Sequence, residues 1–512
     1  MVIKASMLVV FFGIMLGIGF YCRKHSTDVN GFVLGGRSVG PWLTAFAYGT
    51  SYFSAVVFVG YAGQFGWKYG IAAAWAGIGN AILGSLLAWM VLGRRTRIMT
   101  QHLDSATMPQ FFCNRYGSEG LKLFSSAVIF IFLIPYTASL YNGLSRLFGM
   151  AFNIPYEYCV LAMSVLTAIY VIAGGYMATA INDFIQGIIM IVGIMAVITA
   201  VLKTQGGLNS ALEALGNISS EAEGINAGAL TSFFGPDPVN LMGVVLLTSL
   251  GTWGLPQMIQ KFYAIKNEKA ITKGTIISTV FALVVAGGCY FLGGFGRLFT
   301  PDRTADGAVI FDSIIPNMLK DLPDALIGVV IVLVLSASMS TLSSLVLTSS
   351  STLTLDFLKV RIAKNMTDKK QVLVMRALIV VFIAISAVIA IVQHNGGITF
   401  IAQLMGVSWG ALAGAFLAPF LYGLYWKRAT KVAVWVNITF STVFMIANIA
   451  VKDIFPVILR SPINAGAFCM LAGLVIVPAV SLLTRKPDEK YVEQVFSCYE
   501  KNVTVSIKEH MG

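Results

Sequence analysis

Hydroxyl side chains are concentrated in one apolar segment, LSASMSTLSSLVLTSSSTLTLDF, which runs from position 335 to 357. A helix through this segment would carry a stripe of residues three or four apart, with two serines beside it: Ala337, Thr341, Ser344, Thr348 and Ser351, flanked by Ser340 and Ser343. A single hydroxyl in an apolar helix usually bonds to its own backbone or to a neighbouring helix. A whole stripe of uncharged oxygens favours a hard monovalent cation that is bound and released again, unlike the carboxylate cages of calcium sites.

One carboxylate, Asp183, lies in the apolar stretch NDFIQGIIMIVG. On insertion scales, a carboxylate at the centre of a membrane helix costs about 2.5–3.5 kcal/mol. One interpretation is a structural ion pair, or an interfacial residue that reaches a loop. The other is a cation ligand, because no Lys or Arg lies within helical reach in the same segment. A metal cation or a proton would then supply the missing charge.

Two further apolar segments contain residues that interrupt helices. AYGTSYFSAVVF contains Gly49 followed by hydroxyl residues, and LGTWGLPQMIQ contains Gly251, Gly254 and Pro256. These residues disfavour a continuous helix. Broken helices free backbone carbonyls for cations and helix N-termini for anionic groups. The alternative is that the glycines only permit close helix packing.

The composition excludes a water-soluble globule, because 57% of the 512 residues are hydrophobic, 11% are charged and the mean hydropathy is +0.80. Continuous apolar runs of about 20 residues predict membrane-spanning helices. We therefore expect an all-α, multi-pass protein of the cell membrane. The runs predict thirteen spans, at residues 3–22, 41–65, 70–93, 123–149, 155–174, 177–202, 239–262, 273–297, 324–356, 372–393, 399–425, 430–451 and 463–484.

The Lys and Arg residues predict an orientation, since basic residues prefer the cytoplasmic side. Most of the 35 fall on that side if the N-terminus is outside and the C-terminus is inside. Residues 1–484 then form one transmembrane domain, and 485–512 form a cytoplasmic tail. The pieces between spans are too short for a soluble domain. The basic residues lie in short clusters, which argues against a nucleic-acid partner, and no catalytic motif indicates an enzyme.

The two interrupted spans are the second and the seventh. Because five is an odd number, spans 2–6 and 7–11 run in opposite senses, as in transporters built from an inverted repeat. Four segments then resemble hallmark segments of the sodium:solute symporter family: RSVGPWLTAFAYGTSYFSA, GGYMATAINDFIQGIIM, GTWGLPQMIQKFYA and ASMSTLSSLVLTSSSTLTLDFLK. The similarity extends in order across spans 2 to 11.

The resemblance implies a leucine-transporter-type fold with a 5+5 inverted repeat. One repeat covers about 41–202 and the other about 239–425, with an extra helix at 3–22 and two extra helices within 430–484. It also implies sodium-coupled import of a small solute by alternating access. We expect a monomer to be the functional unit in the lipid bilayer. Proton coupling, and a membrane sensor or channel-like protein, are the alternatives.

The resemblance also implies where sodium binds. The first ion would be held by the backbone carbonyls of Thr50, Phe53 and Ala337 and by the hydroxyls of Ser340 and Thr341. In members with a second ion, the set corresponds to Asp183, Ser340, Ser343 and Ser344. All of these groups are present, so the sequence is compatible with a stoichiometry of one sodium ion per cycle and with one of two.

The sequence defines the solute less closely than the ion. The motifs are nearest to those of bacterial proline, pantothenate and monocarboxylate-type members, but proline members carry an Asp where this chain has Tyr52. We expect a compact, carboxylate-bearing solute such as proline or a monocarboxylate. The alternatives are a sugar, sialic acid or pantothenate. By position, the lining residues would be Ser51, Tyr52, Ser54, Tyr136, Trp253 and Gln257.

Overall fold

The computed structural model describes residues 2–23, 27–152, 154–362, 365–395 and 401–499. Side chains are described for these residues except positions 2, 52, 146, 222 and 393–395. The final part of the predicted tail, residues 500–512, lies outside the described residues, as do the first positions of the eleventh predicted span.

The described chain is almost entirely helical, and its only extended pairings are three isolated bridges. The α-helices are α1 (Val2–Cys22), α2 (Val29–Leu34), α3 (Pro41–Tyr52), α4 (Ala62–Tyr69), α5 (Ala74–Gly79), α6 (Arg94–His102), α7 (Met108–Tyr116), α8 (Glu119–Phe152), α9 (Tyr156–Thr204), α10 (Leu208–Gly216), α11 (Pro238–Leu250), α12 (Pro256–Ala264), α13 (Glu268–Gly293), α14 (Ile314–Leu319), α15 (Asp324–Thr352), α16 (Lys359–Arg361), α17 (Asp368–Asn395), α18 (Ile401–Tyr425), α19 (Lys431–Ala450), α20 (Pro462–Leu483) and α21 (Glu489–Phe496). Wider π-helical turns occur at Val56–Tyr61, Asn80–Leu87, Trp89–Gly93 and Leu353–Leu358.

Ten helices in the described residues are long and apolar enough to cross a membrane, or eleven if the bent pair formed by α11 and α12 is counted as one span. The prediction of an all-α, multi-pass membrane protein is confirmed. Two of the ten are much longer than one crossing requires: Val56–His102 has 47 residues and Tyr156–Thr204 has 49. At 1.5 Å per residue each would measure about 70 Å, more than twice the roughly 30 Å hydrocarbon core.

Both of these long helical stretches contain a glycine in a conformation that a helix does not use. Gly175 in α9 has φ 56° and ψ −148°, and Gly70, which ends α4, has φ 60° and ψ −142°. Such angles are readily available only to glycine. Each stretch is therefore two helices joined at a glycine.

The hydroxyl-rich helix α15 lies in the centre of the protein. Every residue from Val330 to Thr352 is buried, although the segment carries many hydroxyl groups. Around it pack α1, α3, α8, α9, α12 and α17. The hydroxyls of α15 therefore face other helices and not lipid, which is the usual place for polar groups inside membrane proteins.

Candidate functional site

The first helix break lies at Phe53 and not at Gly49. Helix α3 continues through Gly49 to Tyr52, and the backbone becomes extended at Phe53, with φ −84° and ψ 116°. Gly49 has a packing role, because a Cβ at this position would overlap the ring of Phe281 in α13. The chain resumes as a helix at Val56. The interruption therefore presents the carbonyl end of α3 and the N-terminal end of the next helix to the same place.

The second break separates α11 from α12. Residues Gly251–Trp253 form a tight 3-10 turn, Leu255 is extended and Pro256 occupies the first turn of α12. The two helices are bent by 40°. A Cβ on Gly254 would lie 2.8 Å from the backbone of Ala413 in α18, so this glycine also permits close packing. Both roles considered for the glycines are thus present at this break.

Five oxygen atoms from α3, its break and α15 converge: the carbonyls of Thr50, Phe53 and Ala337 and the hydroxyls of Ser340 and Thr341. The Thr341 Oγ1 lies 3.1 Å from the Thr50 carbonyl oxygen and 3.3 Å from that of Phe53. The Ser340 Oγ also lies 3.1 Å from the Thr50 oxygen, and both hydroxyls lie 3.1 Å from the Ala337 oxygen. All five residues are buried.

This oxygen cluster has the chemistry of a site for a small monovalent cation. Ligands at about 2.3–2.6 Å from a hard cation are about 3.3–3.7 Å apart at right angles. The measured separations of 3.1–3.3 Å require only a slight expansion of the cluster. The donors carry no formal charge, so a divalent ion would lack a counter-charge. In the described part of the chain, no group of three or more His, Cys, Asp or Glu could hold a metal ion either.

Asp183, which the sequence left without a counter-charge, faces a lysine from another helix. The Nζ of Lys261 in α12 lies 3.9 Å from the Asp183 Oδ2, and both side chains are buried. Lys261 also donates a hydrogen bond of 3.0 Å to the Ser344 hydroxyl. Ser343 donates instead to the backbone carbonyl of Ser340. The residues predicted for a second ion therefore surround, or lie beside, a lysine ammonium.

The polar atoms of two predicted solute-lining residues make hydrogen bonds within the protein. The Ser51 hydroxyl pairs with Ser344 at 2.9 Å and donates to the Ala47 carbonyl. The Trp253 indole donates to the Leu83 carbonyl at 2.8 Å. The side chain of Tyr52 lies outside the described residues.

Three others present buried polar atoms that have no hydrogen-bond partner: the Ser54 hydroxyl, the Tyr136 hydroxyl and both amide atoms of Gln257. Ser54 and the indole of Trp409 in α18 lie beside the Tyr136 hydroxyl, at the edge of hydrogen-bonding reach, but none of the three polar atoms makes a hydrogen bond of good geometry. The rings of Tyr136 and Trp409 meet edge to face, with centroids 5.9 Å apart. A polar ligand bound beside the first break would satisfy these atoms and remove the cost of leaving them unbonded. Trp409 was missed by the sequence interpretation.

The two ends of the protein differ in openness. A cavity of about 1080 Å³ opens at one end, between the segments around Gln64–Tyr69, Asp237–Val244, Gln403–Val407 and Asn448–Asn464. At the other end, a cavity of only about 10 Å³ lies between Thr107, Gln260 and Thr348. This smaller volume is about that of a single water-sized sphere. The first end therefore contains a wide cavity, and the cavity described at the second end is narrow.

Arg37 closes the narrow end. Its guanidinium donates to the carbonyls of Tyr263, Thr100 and Ser105 at 3.2, 3.4 and 2.8 Å. The backbone beside it pairs with the end of α12, because the Val39 nitrogen donates to the Ala264 carbonyl. The segment before α3 is thus tied both to α12 and to the loop after α6.

The sodium:solute symporter family model matches residues 32–439. The chain belongs to the sodium:solute symporter family. The resemblance carried by the four sequence segments is thereby confirmed. Because this family consists of transporters, the symporter is a multi-pass membrane transporter and not an enzyme.

Curated relatives match over nearly the whole symporter. The sodium/proline symporters of Staphylococcus aureus strains JH9 and NCTC 8325 / PS 47 are each 29% identical to it over 504 residues, which cover 94% of this chain and 93% of theirs. Among solved structures, the substrate-bound outward-open state of a Na⁺-coupled sialic acid symporter has a TM-score of 0.75. It is 16% identical and covers 95% of this chain and 99% of its own. The symporter has the fold of that protein.

The same fold extends to a transporter of a different ion. The Eremococcus coleocola manganese transporter has a TM-score of 0.50, is 11% identical and covers 91% of this chain and 96% of its own. Fold alone therefore does not define the ion or the solute, and the donor atoms of the site must be used instead.

Proposed function

We propose that this symporter imports a small, carboxylate-bearing organic solute together with sodium by alternating access. The observation that carries the proposal is the convergence of three carbonyls and two hydroxyls at the break after α3. These oxygens, from Thr50, Phe53, Ala337, Ser340 and Thr341, form the proposed sodium site. Sodium would link α3 to α15 and thereby fix the geometry of the break. The solute site beside the break would then form only when sodium is bound, which couples the two ligands.

Thirteen spans are the number that best fits the described helices. Dividing the two long stretches, Val56–His102 at Gly70 and Tyr156–Thr204 at Gly175, adds two spans to the ten. Counting α11 and α12 as one broken span adds another, and α3 belongs to the same broken span as the helix that follows it. The total is then the predicted number. Spans 2–6 and 7–11 would form the inverted repeat. The Lys and Arg distribution supports an orientation with the N-terminus outside and the C-terminus inside. The wide cavity then opens outward and the end closed by Arg37 faces the cytoplasm.

The solute would bind where the two helix breaks and Tyr136 meet. The helix after the first break begins near Ser54, so its N-terminal end can attract a carboxylate, while the carbonyl end of α3 attracts the cation. The relatives that are named proline symporters support an amino acid, and Tyr52 in place of an Asp supports a monocarboxylate as the second candidate. Sugars, sialic acid and pantothenate have weaker support, since nothing in the described site is specific to them.

Uptake into proteoliposomes would test this proposal. We expect concentrative uptake of proline or a small monocarboxylate that requires an inward sodium gradient and stops when choline replaces sodium at constant pH. A thermal-shift screen of amino acids, small carboxylates and sugars should show more stabilisation by the true solute when sodium is present. Unchanged uptake in choline would instead indicate proton coupling. A flux that only equilibrates the solute would indicate a channel.

Tyr136→Phe is expected to raise the KM for the solute about tenfold without changing the apparent melting temperature of the solute-free protein. The Tyr136 hydroxyl is buried and makes no hydrogen bond of good geometry in the protein, although Ser54 and Trp409 lie beside it, so its removal costs little until a ligand needs it. Initial rates at saturating sodium, together with a melting curve, measure both quantities. Tyr141→Phe, which removes a second unpartnered hydroxyl from α8, is the matched control and should leave the KM unchanged. Equal effects of the two variants would argue against a solute site at Tyr136.

Arg37→Ala is expected to open the cytoplasmic end. Hydrogen bonds to a charged group contribute about 1.5–3 kcal/mol, so losing those of Arg37 should shift the conformational equilibrium by about tenfold or more. A cysteine introduced at Thr348, which lines the narrow cavity, would report this shift by faster alkylation from the cytoplasmic side. Arg428→Ala removes similar bonds to the carbonyls of Leu482 and Thr484 outside the core, and should not change the alkylation rate.

A further inference from the structure

A buried cation of the protein itself lies among the residues that correspond to a second sodium site. Lys261 extends from α12, and its Nζ lies 3.9 Å from the Asp183 Oδ2 in α9 and 3.0 Å from the Ser344 Oγ in α15. The ring of Tyr176 covers the ammonium at 5.1 Å. Lys261 is 2% exposed, and Asp183 is completely buried. The ammonium is therefore almost completely shielded from water, and its contacts are a carboxylate, a hydroxyl and an aromatic ring.

The charges of this cluster balance without a second sodium. Asp183 has no hydrogen-bond partner for either carboxylate oxygen, so Lys261 is its source of compensation in the described structure. A buried carboxylate and a buried ammonium are each very unfavourable alone and tolerable as a pair. A sodium ion added to the pair would leave a second uncompensated positive charge in the membrane interior, in addition to that of the sodium ion in the five-oxygen cluster. One carboxylate can neutralise only one cation.

The lysine also connects to the proposed sodium site. Ser344, which accepts its hydrogen bond, pairs with the Ser51 hydroxyl at 2.9 Å. Ser51 follows Thr50, whose carbonyl belongs to the five-oxygen cluster. The ammonium thus holds α12, α15 and the end of α3 together, as a second bound cation would.

We propose that the Lys261 ammonium takes the place of a second sodium ion, so that this symporter couples one sodium ion to each solute. A sodium ion bound between Asp183 and Ser344 would lie roughly 4 Å from the ammonium. At an effective dielectric constant of about 20, that repulsion weakens binding on the order of a thousandfold. Lys261 therefore determines the ion stoichiometry. This inference rests on the proposed function, in which the five-oxygen cluster binds the first sodium.

Equilibrium binding of radioactive sodium to the purified full-length protein would test the inference. Wild type is expected to saturate at one sodium per protein. Lys261→Met keeps the length and apolar character of the side chain but removes the charge, so Asp183 and Ser344 become free to bind sodium and the number should rise to two. Lys261→Arg, which keeps the charge, and the double variant Asp183→Asn with Lys261→Met, which removes both charges, should each bind one.

The double variant also guards against misfolding, because it leaves no uncompensated buried charge. Two sodium ions on the wild type, or one on Lys261→Met, would overturn the inference while leaving sodium coupling intact. Loss of solute binding by Lys261→Met with an unchanged sodium number would also overturn it, and would make the lysine a ligand of the solute carboxylate. No saturable sodium binding to the wild type would instead contradict the proposed function itself.

Discussion

Thr341→Ala is expected to raise the sodium concentration for half-maximal uptake by about tenfold to a hundredfold. The Thr341 hydroxyl is the one oxygen of the cluster that contacts all three carbonyls, those of Thr50, Phe53 and Ala337. Losing one such ligand of a charged group costs about 1.5–3 kcal/mol, which corresponds to this range of concentrations. Uptake measured over a sodium series at saturating solute yields the value directly. Ser340→Ala should act in the same direction, because its hydroxyl contacts two of the carbonyls.

Two controls separate ion binding from general damage to α15. Thr341→Ser keeps the hydroxyl and should remain within a few-fold of wild type. Thr354→Ala removes a buried hydroxyl that has no hydrogen-bond partner and lies outside the cluster, so it should have little effect on the sodium dependence. If Thr354→Ala raised the half-maximal sodium concentration as much as Thr341→Ala, the five-oxygen cluster would not be the sodium site.

The sequence was most informative where a pattern depends on local geometry. The hydroxyl stripe of α15 follows from helical spacing alone, and the motif resemblance then named the five oxygens that lie together in the structure. The position of the first helix break was harder to predict from the sequence. Gly49 was taken as the interruption, yet it lies within α3, against Phe281, and the backbone leaves the helix at Phe53. A glycine can mark either a break or a close contact, and only the packed structure distinguishes the two.

The counter-charge of Asp183 could not be found by looking along its own helix. Lys261 belongs to a different helix, 78 positions further along the chain. Its burial became evident only when α9, α12 and α15 were packed together. A single signal was available: Lys261 follows Pro256 inside a segment that was itself predicted to span the membrane. Trp409 had no such signal, because aromatic residues in spans are more often packing or interfacial residues.

Gly66→Ala is expected to prevent accumulation of folded symporter. Helices α4 and α13 cross backbone to backbone: a Cβ on Gly66 would overlap the carbonyl of Gly293, and one on Gly293 would overlap that of Ala62. Ala62 and Gly66 are four residues apart, the spacing of small residues that lets membrane helices approach closely. Overpacking a core costs about 1–3 kcal/mol when side chains can adjust. Here the neighbour is backbone, which cannot turn away, so we expect a larger loss.

Gly149→Ala is the matched control for this prediction, because it adds the same methyl group to a membrane helix. A Cβ on Gly149 in α8 would meet nothing within 4 Å. Alanine is preferred over glycine in a helix by about 1 kcal/mol, so this variant should be as stable as wild type or slightly more so. Yield of monodisperse protein on size exclusion and the apparent melting temperature measure both variants. A Gly66→Ala protein that matched Gly149→Ala in both would show that α4 and α13 do not approach this closely, and the outer half of the broken second span would need a different position.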